Sequence, residues 1–215
     1  MSLVLVLDSQ WEPHRWVGLD DAMLYEHKQL VQNRLGETLF MYRGGTNRIS
    51  GEPSKLETSS IIVLKAMPSA KKYREPILTN NALFARDRYT CAYCDLNFGP
   101  SELTRDHVMP VSKGGLDKWI NVVTSCKICN NLKDDSVLGE VLPNGWYSPR
   151  GTHTMQLGYL PYIPCQAENM ILRNRGVKLD QMEYLLTRIK NPKSRIHDYA
   201  KDYKKSGRGT WKELH

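Results

Sequence analysis

The 215-residue sequence has no long hydrophobic run. Its longest apolar stretches, residues 3–7 and 61–64, are far shorter than the ~20 residues that a membrane-spanning helix needs. The N-terminus also lacks the basic start of a secretion signal. We therefore expect a protein that does not associate with membranes and is located in the cytoplasm.

Cysteine is scarce, and its number, five, is odd. Four of the five form two Cys-x-x-Cys pairs, Cys91 with Cys94 and Cys126 with Cys129, which in a reducing compartment indicates a metal site and not disulfides. Each spacing lets two thiolates turn toward one tetrahedral ion, and four sulfur ligands favour Zn²⁺. Because four protein ligands leave no open position, this zinc is predicted to be structural. Cys165 is interpreted as a small buried residue or a spare thiol.

Acidic residues are few at the C-terminal end. Residues 188–215 contain nine Lys/Arg against three Asp/Glu, and this stretch carries +6 of the formal net charge of +7. A basic segment beside a nearly neutral body predicts binding to a polyanion such as nucleic acid, because each cation near a phosphate releases condensed counterions. The alternative is a solvated surface helix or a tail that promotes solubility.

Internal repeats and low-complexity segments are also absent, and the residue pattern predicts an α+β protein in three regions. Residues 1–80 are predicted to be mixed strand and helix, residues 81–138 to hold the chemistry, and residues 139–215 to form an arm and a basic helical extension that binds nucleic acid. The predicted strands are residues 3–7, 38–42 and 59–65. One predicted helix begins after Asp20 or Asp21. Three more helices are predicted over residues 82–88, 167–175 and 178–190.

Four short motifs lie between and just after the two cysteine pairs. In chain order they are RDHVMP at residues 105–110, SKGG at 112–115, NVV at 121–123 and CNNLK at 129–133. This succession resembles the HNH endonuclease family, whose catalytic unit is a β-hairpin followed by a helix around one divalent ion. VLVL at 4–7, WEP at 11–13 and RDRYTC at 86–91 also look like bacterial members with such a leader, so the resemblance covers about residues 3–135. It implies a ββα-metal core that is stabilised by the four-cysteine zinc site.

The resemblance assigns roles to four residues. His107 would be the general base that takes a proton from the attacking water, a duty that suits an imidazole near neutral pH. Asp106 would be the acidic metal ligand, and Asn121 would brace the hairpin and the histidine. Asn130 stands at the last ligand position, where many relatives have histidine. An Asp carboxylate and an Asn amide oxygen form an oxygen-only site, which suits Mg²⁺ or Mn²⁺.

The same resemblance implies hydrolysis of double-stranded DNA to 5′-phosphate and 3′-hydroxyl ends. Three basic residues flank the predicted site and are candidates for phosphate contacts: Arg105, Lys113 and Lys133. Each of them has an alternative interpretation as a solvated charge. Two other functions stay open from the sequence: a zinc-knuckle protein that binds nucleic acid without cutting it, and a nuclease that acts on RNA.

Overall fold

The structure of the protein is a computed structural model. It describes residues 3–65, 75–142, 147–174 and 176–198, with the backbone alone at residues 40–43 and 55. Among the helices of these ranges, none combines the length and the apolar character that a bilayer crossing demands. The basic stretch predicted at the C-terminus lies outside the described residues from residue 199 onward.

The protein is an α+β fold, as the sequence predicts. Its strands are, in chain order, β1 (Val4–Leu7), β2 (Pro13–Val17), β3 (Val31–Thr46), β4 (Pro53–Leu64), β5 (Leu103–His107) and β6 (Val122–Cys126). Its helices are α1 (Leu19–His27), α2 (Asn80–Arg86), α3 (Lys127–Lys133), α4 (Gln166–Arg173) and α5 (Leu179–Thr187). The predicted helices at 82–88, 167–175 and 178–190 are confirmed with ends that differ by a few residues.

The chain divides into two compact units. The first unit comprises Met1–Arg74, Cys165–Lys190 and His197–His215, and the second comprises Glu75–Pro164 and Asn191–Ile196. Compactness thus groups α4 and α5 with the N-terminal strands. The boundaries predicted at residues 80 and 138 separate regions with different expected roles and not compact units, and they stay a prediction.

The first unit contains a four-stranded sheet with the strand order β2, β1, β4, β3. Strand β1 runs parallel to β4, and the other neighbouring strands are antiparallel. All four residues of β1 are buried, as expected of a central strand with an uninterrupted apolar sequence. Helix α5 is tied to this sheet by Gln181, whose Nε2 donates to the carbonyl oxygens of Leu3 and Ser60 at 2.8 Å each.

Two strands of this sheet differ from the prediction. Strand β2 was not predicted, because Pro13 is typical of a turn; in the structure Pro13 begins an edge strand, where a missing N–H is tolerated. Strands β3 and β4 exceed the predicted 38–42 and 59–65 because they pair with each other from Val31 opposite Leu64 to Thr46 opposite Pro53. Pairing with a neighbour, and not local composition, sets their length.

The second unit contains the hairpin of β5 and β6 followed directly by α3. The two strands pair in regular antiparallel register, from Leu103 opposite Cys126 to His107 opposite Val122. Every residue of β6 is buried, so the hairpin is fixed against the core on that side. The chain leaves β6 at Cys126, which is also the residue that caps the start of α3. The arrangement is the predicted ββα unit.

A buried arginine joins α2 to this hairpin. Arg86 forms a two-bond ion pair with Asp87, with Nε to Oδ1 at 2.7 Å and Nη2 to Oδ2 at 2.9 Å. Its other N–H groups donate to the carbonyl oxygens of Trp119, Tyr162 and Val122 at 3.0, 2.8 and 2.9 Å. All five guanidinium donors are therefore used, which offsets the cost of burying the charge.

Candidate active site and cysteine cluster

The four paired cysteines lie together in the second unit. Their sulfur atoms are all within 4.8 Å of one another, and all but Cys94 are buried. Four sulfurs around Zn²⁺ at about 2.3 Å would be about 3.8 Å apart, so the cluster fits a tetrahedral zinc ion with little adjustment. The predicted clustering of the four cysteines is confirmed, in an arrangement that could hold a metal ion. Cys165, just before α4, is not a member of it.

The thiols of the cluster influence one another. A hydrogen bond from the Cys129 thiol, assisted by backbone N–H groups, lowers the pKa of Cys91 to about 4. Burial raises the pKa of Cys94 to about 11. The thiolate is the form that binds metal, so the environment of Cys91 already favours the ligand form. Because the remaining thiols must lose protons, metal binding is expected to strengthen as the pH rises.

The segment that follows the ββα unit closes over the cluster. Leu142 and Met155 pack into the same core as the cysteines, with 2% and 1% of their surface exposed. The backbone N–H of Gly158 donates to the carbonyl of Ala92 at 2.7 Å. Arg150 Nε donates to the carbonyl of Tyr93 at 3.0 Å. This segment, predicted as a loop-like arm, thus covers the first cysteine pair.

Asp106 occupies a buried position near the end of β5, with 5% of its surface exposed. The hydroxyl of Tyr93 donates to its Oδ2. Lys133 Nζ donates to its Oδ1 at 3.2 Å and to the carbonyl oxygen of His107 at 2.9 Å. Burial raises the pKa of the Asp106 carboxyl, whereas the hydrogen bond from Tyr93 and the charge of Lys133 oppose that rise. The two partners therefore favour the ionised carboxylate.

His107 is the last residue of β5 and is partly exposed. Its Nε2 lies 3.1 Å from Oδ1 of Asp117, and the other oxygen of Asp117 accepts a 2.6 Å hydrogen bond from Arg105. Arg105 also donates to Oδ1 of Asn80 at 3.1 Å. An ionised carboxylate only accepts hydrogen bonds, so this contact places the imidazole proton on Nε2 and leaves Nδ1 as the acceptor.

Asn121 holds the loop that connects β5 to β6. Its Oδ1 accepts the N–H of Met109 at 2.9 Å, and its Nδ2 donates to the carbonyls of Met109 and Leu116 at 3.1 and 2.9 Å. Its own carbonyl accepts the N–H of Val108 at 2.8 Å. These bonds fix the loop immediately after His107, where the resemblance predicted a bracing residue.

Asn130 and Lys133 both belong to α3 and are three residues apart. Residues at this spacing share one face of a helix. The face that reaches Asp106 through Lys133 therefore also carries Asn130, which is half-buried.

The three basic residues predicted to contact phosphates have different environments. Arg105 pairs with Asp117, and Lys113 Nζ lies 2.8 Å from Oε2 of Glu140 in an exposed ion pair. The side chain of Lys133 is 1% exposed, so its ammonium has no surface to offer to a phosphate. For Lys133 the phosphate contact predicted from sequence is at odds with this placement, because the ammonium is an internal partner of Asp106.

Two residues of the site were missed in the sequence. Tyr93 stands between two cysteines, and nothing in that spacing indicates that its hydroxyl reaches a residue 13 positions away. Asp117 follows the SKGG turn, and its partner His107 lies ten positions earlier across the hairpin loop. Both contacts depend on how the hairpin folds, which residue spacing alone does not reveal.

Comparison with known proteins identifies the class of this site. Residues 91–142 match the model of the HNH endonuclease family, a range that includes the cysteine cluster, β5, β6 and α3. No curated protein matches the chain. Residues 91–142, which hold the cysteine cluster and the hairpin motifs, are therefore similar to the HNH endonuclease domain. Such a domain indicates a metal-dependent nuclease that acts on nucleic acid.

Proposed function

We infer that the protein is a DNA endonuclease in which His107 is the general base and Asp106 and Asn130 hold Mg²⁺ or Mn²⁺. One observation carries this inference: Lys133 Nζ hydrogen-bonds both to the Asp106 carboxylate and to the backbone of His107. This contact supports a site shared by the end of β5 and the face of α3 that carries Asn130. General base and oxygen donors are needed together for metal-assisted phosphodiester hydrolysis.

The chemistry of the donor set fits a hard divalent cation. A carboxylate offers about four lone-pair positions, and the hydrogen bonds from Tyr93 and Lys133 use two of those on Asp106. The amide oxygen of Asn130 adds a second hard donor. When bound, the ion would supply positive charge that stabilises the phosphate and the leaving 3′ oxygen.

The proposed hydrolysis begins with proton transfer from water to Nδ1 of His107. The hydroxide attacks phosphorus, the bond from phosphorus to the 3′ oxygen breaks, and that oxygen takes up a proton. The products are a 5′-phosphate and a 3′-hydroxyl. Asp117 accepts the hydrogen bond from Nε2 of His107 and favours the imidazolium that forms in this step.

Substrate binding is proposed to involve Arg105, Lys113 and the basic residues of 188–215. Arg105 and Lys113 have exposed carboxylate partners, and exposed ion pairs contribute little to stability. A phosphate oxygen can therefore replace the carboxylate of either pair at low cost. The nine Lys/Arg of residues 188–215 add sequence-independent attraction, and double-stranded DNA is the proposed partner.

The decisive experiment is cleavage of supercoiled plasmid by the wild type and by His107→Ala, with Mg²⁺ and with EDTA. Loss of a general base lowers the rate by about 10²–10⁴-fold, so the variant should leave the plasmid nearly intact while it keeps its zinc. His27→Ala, at an exposed position of α1, is the matched control.

Three outcomes would contradict the proposal. Cleavage by His107→Ala within a few-fold of the wild type would reject the general base. Binding without cleavage by the wild type across Mg²⁺ and Mn²⁺ would favour the non-cutting zinc protein. Stronger competition by RNA than by duplex DNA would change the substrate. Sealing of the product by DNA ligase, which needs a 5′-phosphate and a 3′-hydroxyl, checks the proposed ends.

A further inference from the structure

Tyr93 contacts both metal-related sites of the second unit. It lies between Cys91 and Cys94, and its backbone N–H donates to the Cys91 sulfur at 3.4 Å. At the other end of the same residue, the phenol hydroxyl donates to Oδ2 of Asp106. One residue therefore links a thiolate of the cysteine cluster to the carboxylate that is proposed to bind the catalytic ion.

The other carboxylate oxygen of Asp106 accepts a hydrogen bond from the chain segment that contains the second cysteine pair. Lys133, which bonds Oδ1 at 3.2 Å, is the last residue of α3. That helix is capped by Cys126 and contains Cys129. One oxygen of Asp106 thus accepts from the segment with the first cysteine pair, and the other accepts from the segment with the second pair. The cysteine cluster joins these two segments.

The link through Tyr93 is rigid. Only 1% of Tyr93 is exposed, and it is packed in one core cluster with three of the cysteines, Val123 and Met155. The phenol has two side-chain torsions, and a ring enclosed in this way keeps its hydroxyl in one place. Groups that hydrogen-bond to a metal ligand fix its orientation and commonly change metal affinity.

We propose that Tyr93 is a positioning residue that couples the two metal sites, so that the filled four-cysteine site orients Asp106 for the catalytic ion. The zinc site then supports catalysis through one hydrogen bond, in addition to its role in folding. This inference rests on the proposed function, since it takes Asp106 as a ligand of the divalent ion.

The first test compares Tyr93→Phe with the wild type in binding of Mn²⁺, measured without DNA from the electron paramagnetic resonance signal of the free ion. The substitution keeps the buried ring and removes the hydroxyl alone. We expect unchanged zinc content and an affinity for Mn²⁺ about 10–100-fold lower. In cleavage, the concentration of Mg²⁺ at half-maximal rate should rise by a similar factor, with a smaller change in the rate at saturating Mg²⁺.

Tyr159→Phe is the matched control. Its hydroxyl donates to the carbonyl of Thr90 at 3.0 Å, and its ring packs against the same core as Tyr93. Loss of this hydroxyl should leave Mn²⁺ affinity unchanged. Equal weakening by Tyr93→Phe and Tyr159→Phe would show a general effect of core disruption and would overturn the proposal.

Asp106→Asn separates this proposal from the proposed function. If it leaves Mn²⁺ affinity unchanged, the assignment of Asp106 as ligand fails, and the proposed function fails in that part. If Asp106→Asn abolishes binding while Tyr93→Phe binds Mn²⁺ like the wild type, the coupling alone is rejected.

A second measurement needs no variant. Co²⁺ placed in the four-cysteine site reports its thiolate geometry through its visible absorption, and Mg²⁺ does not compete for thiolates. Coupling between two sites is reciprocal in binding free energy, so saturation with Mg²⁺ should raise the affinity of the wild type for Co²⁺, which a titration followed by this absorption measures. An unchanged Co²⁺ affinity would overturn the proposal even if Tyr93→Phe failed to fold.

Discussion

Replacement of Arg86 by Met tests whether the buried arginine holds the catalytic hairpin in place. The substitution keeps an unbranched side chain of similar length and removes all five N–H donors. The side chains of Arg86 and Asp87 are both completely buried, so the variant leaves a carboxylate without its countercharge. It also leaves the carbonyl oxygens of Trp119, Val122 and Tyr162 without this donor.

The expected loss of stability is large for a single substitution. Removal of one partner from a buried ion pair costs about 3–5 kcal/mol. The three carbonyls add to this, but Asp87 keeps the hydrogen bond from the N–H of Thr124 at 2.8 Å. With a urea m-value of about 1–3 kcal/mol/M, a loss of that size lowers the unfolding midpoint by roughly 1–5 M.

Urea unfolding of the zinc-loaded protein, followed by far-ultraviolet circular dichroism, measures the effect. Arg48→Met, at an exposed arginine, is the control and should change stability by less than about 0.5 kcal/mol. The double variant Arg86→Met with Asp87→Leu should recover part of the loss, because it removes the uncompensated charge. A loss below about 1 kcal/mol in Arg86→Met, or no recovery in the double variant, would refute the reasoning.

Two further predictions concern the hairpin loop. The hydrogen bond from Arg105 lowers the pKa of Asp117, so any stability from this pair is present above the ordinary carboxyl pKa and is lost as the pH falls through the lowered value. Carbon NMR titration should show that Arg105→Gln raises the pKa of Asp117, and an unchanged pKa would mean that the pair is not formed. A Cβ at Gly115 would lie 1.8 Å from the carbonyl oxygen of Met109, so Gly115→Ala should destabilise the protein by about 1–3 kcal/mol. Thermal unfolding beside Gly45→Ala, whose Cβ meets nothing within 4 Å, checks this, and equal effects would contradict it.

The parts of the site that follow from local spacing could be predicted from the sequence. Two residues between cysteines set the direction of both thiolates, so the four-cysteine cluster could be predicted before any fold was known. The helical spacing of Leu179, Met182 and Leu186 likewise predicted α5. Both patterns involve residues that are close in the chain, where local backbone geometry determines which side chains point the same way.

The parts that depend on tertiary pairing could not be predicted in the same way. Strand β2 forms because an edge position accepts Pro13, and no local pattern reveals which strand lies at an edge. The burial of Lys133 was missed, since a lysine near a basic motif is typical of a surface residue. The contacts of Tyr93 and Asp117 require the hairpin to be closed first.

The cover over the cysteine cluster has a practical consequence for anyone who wishes to isolate the nuclease domain. A fragment trimmed to residues 91–142, the limits of the family match, would lack Met155 and Gly158, which cover the cysteine cluster. It would also lack the guanidinium of Arg86, which is bonded to the hairpin. Apolar side chains and backbone groups that are enclosed in the intact chain would then face solvent. A fragment that keeps these contacts is therefore wider than the family match, and expression should include at least residues 75–164 and 191–196, which make up the second unit.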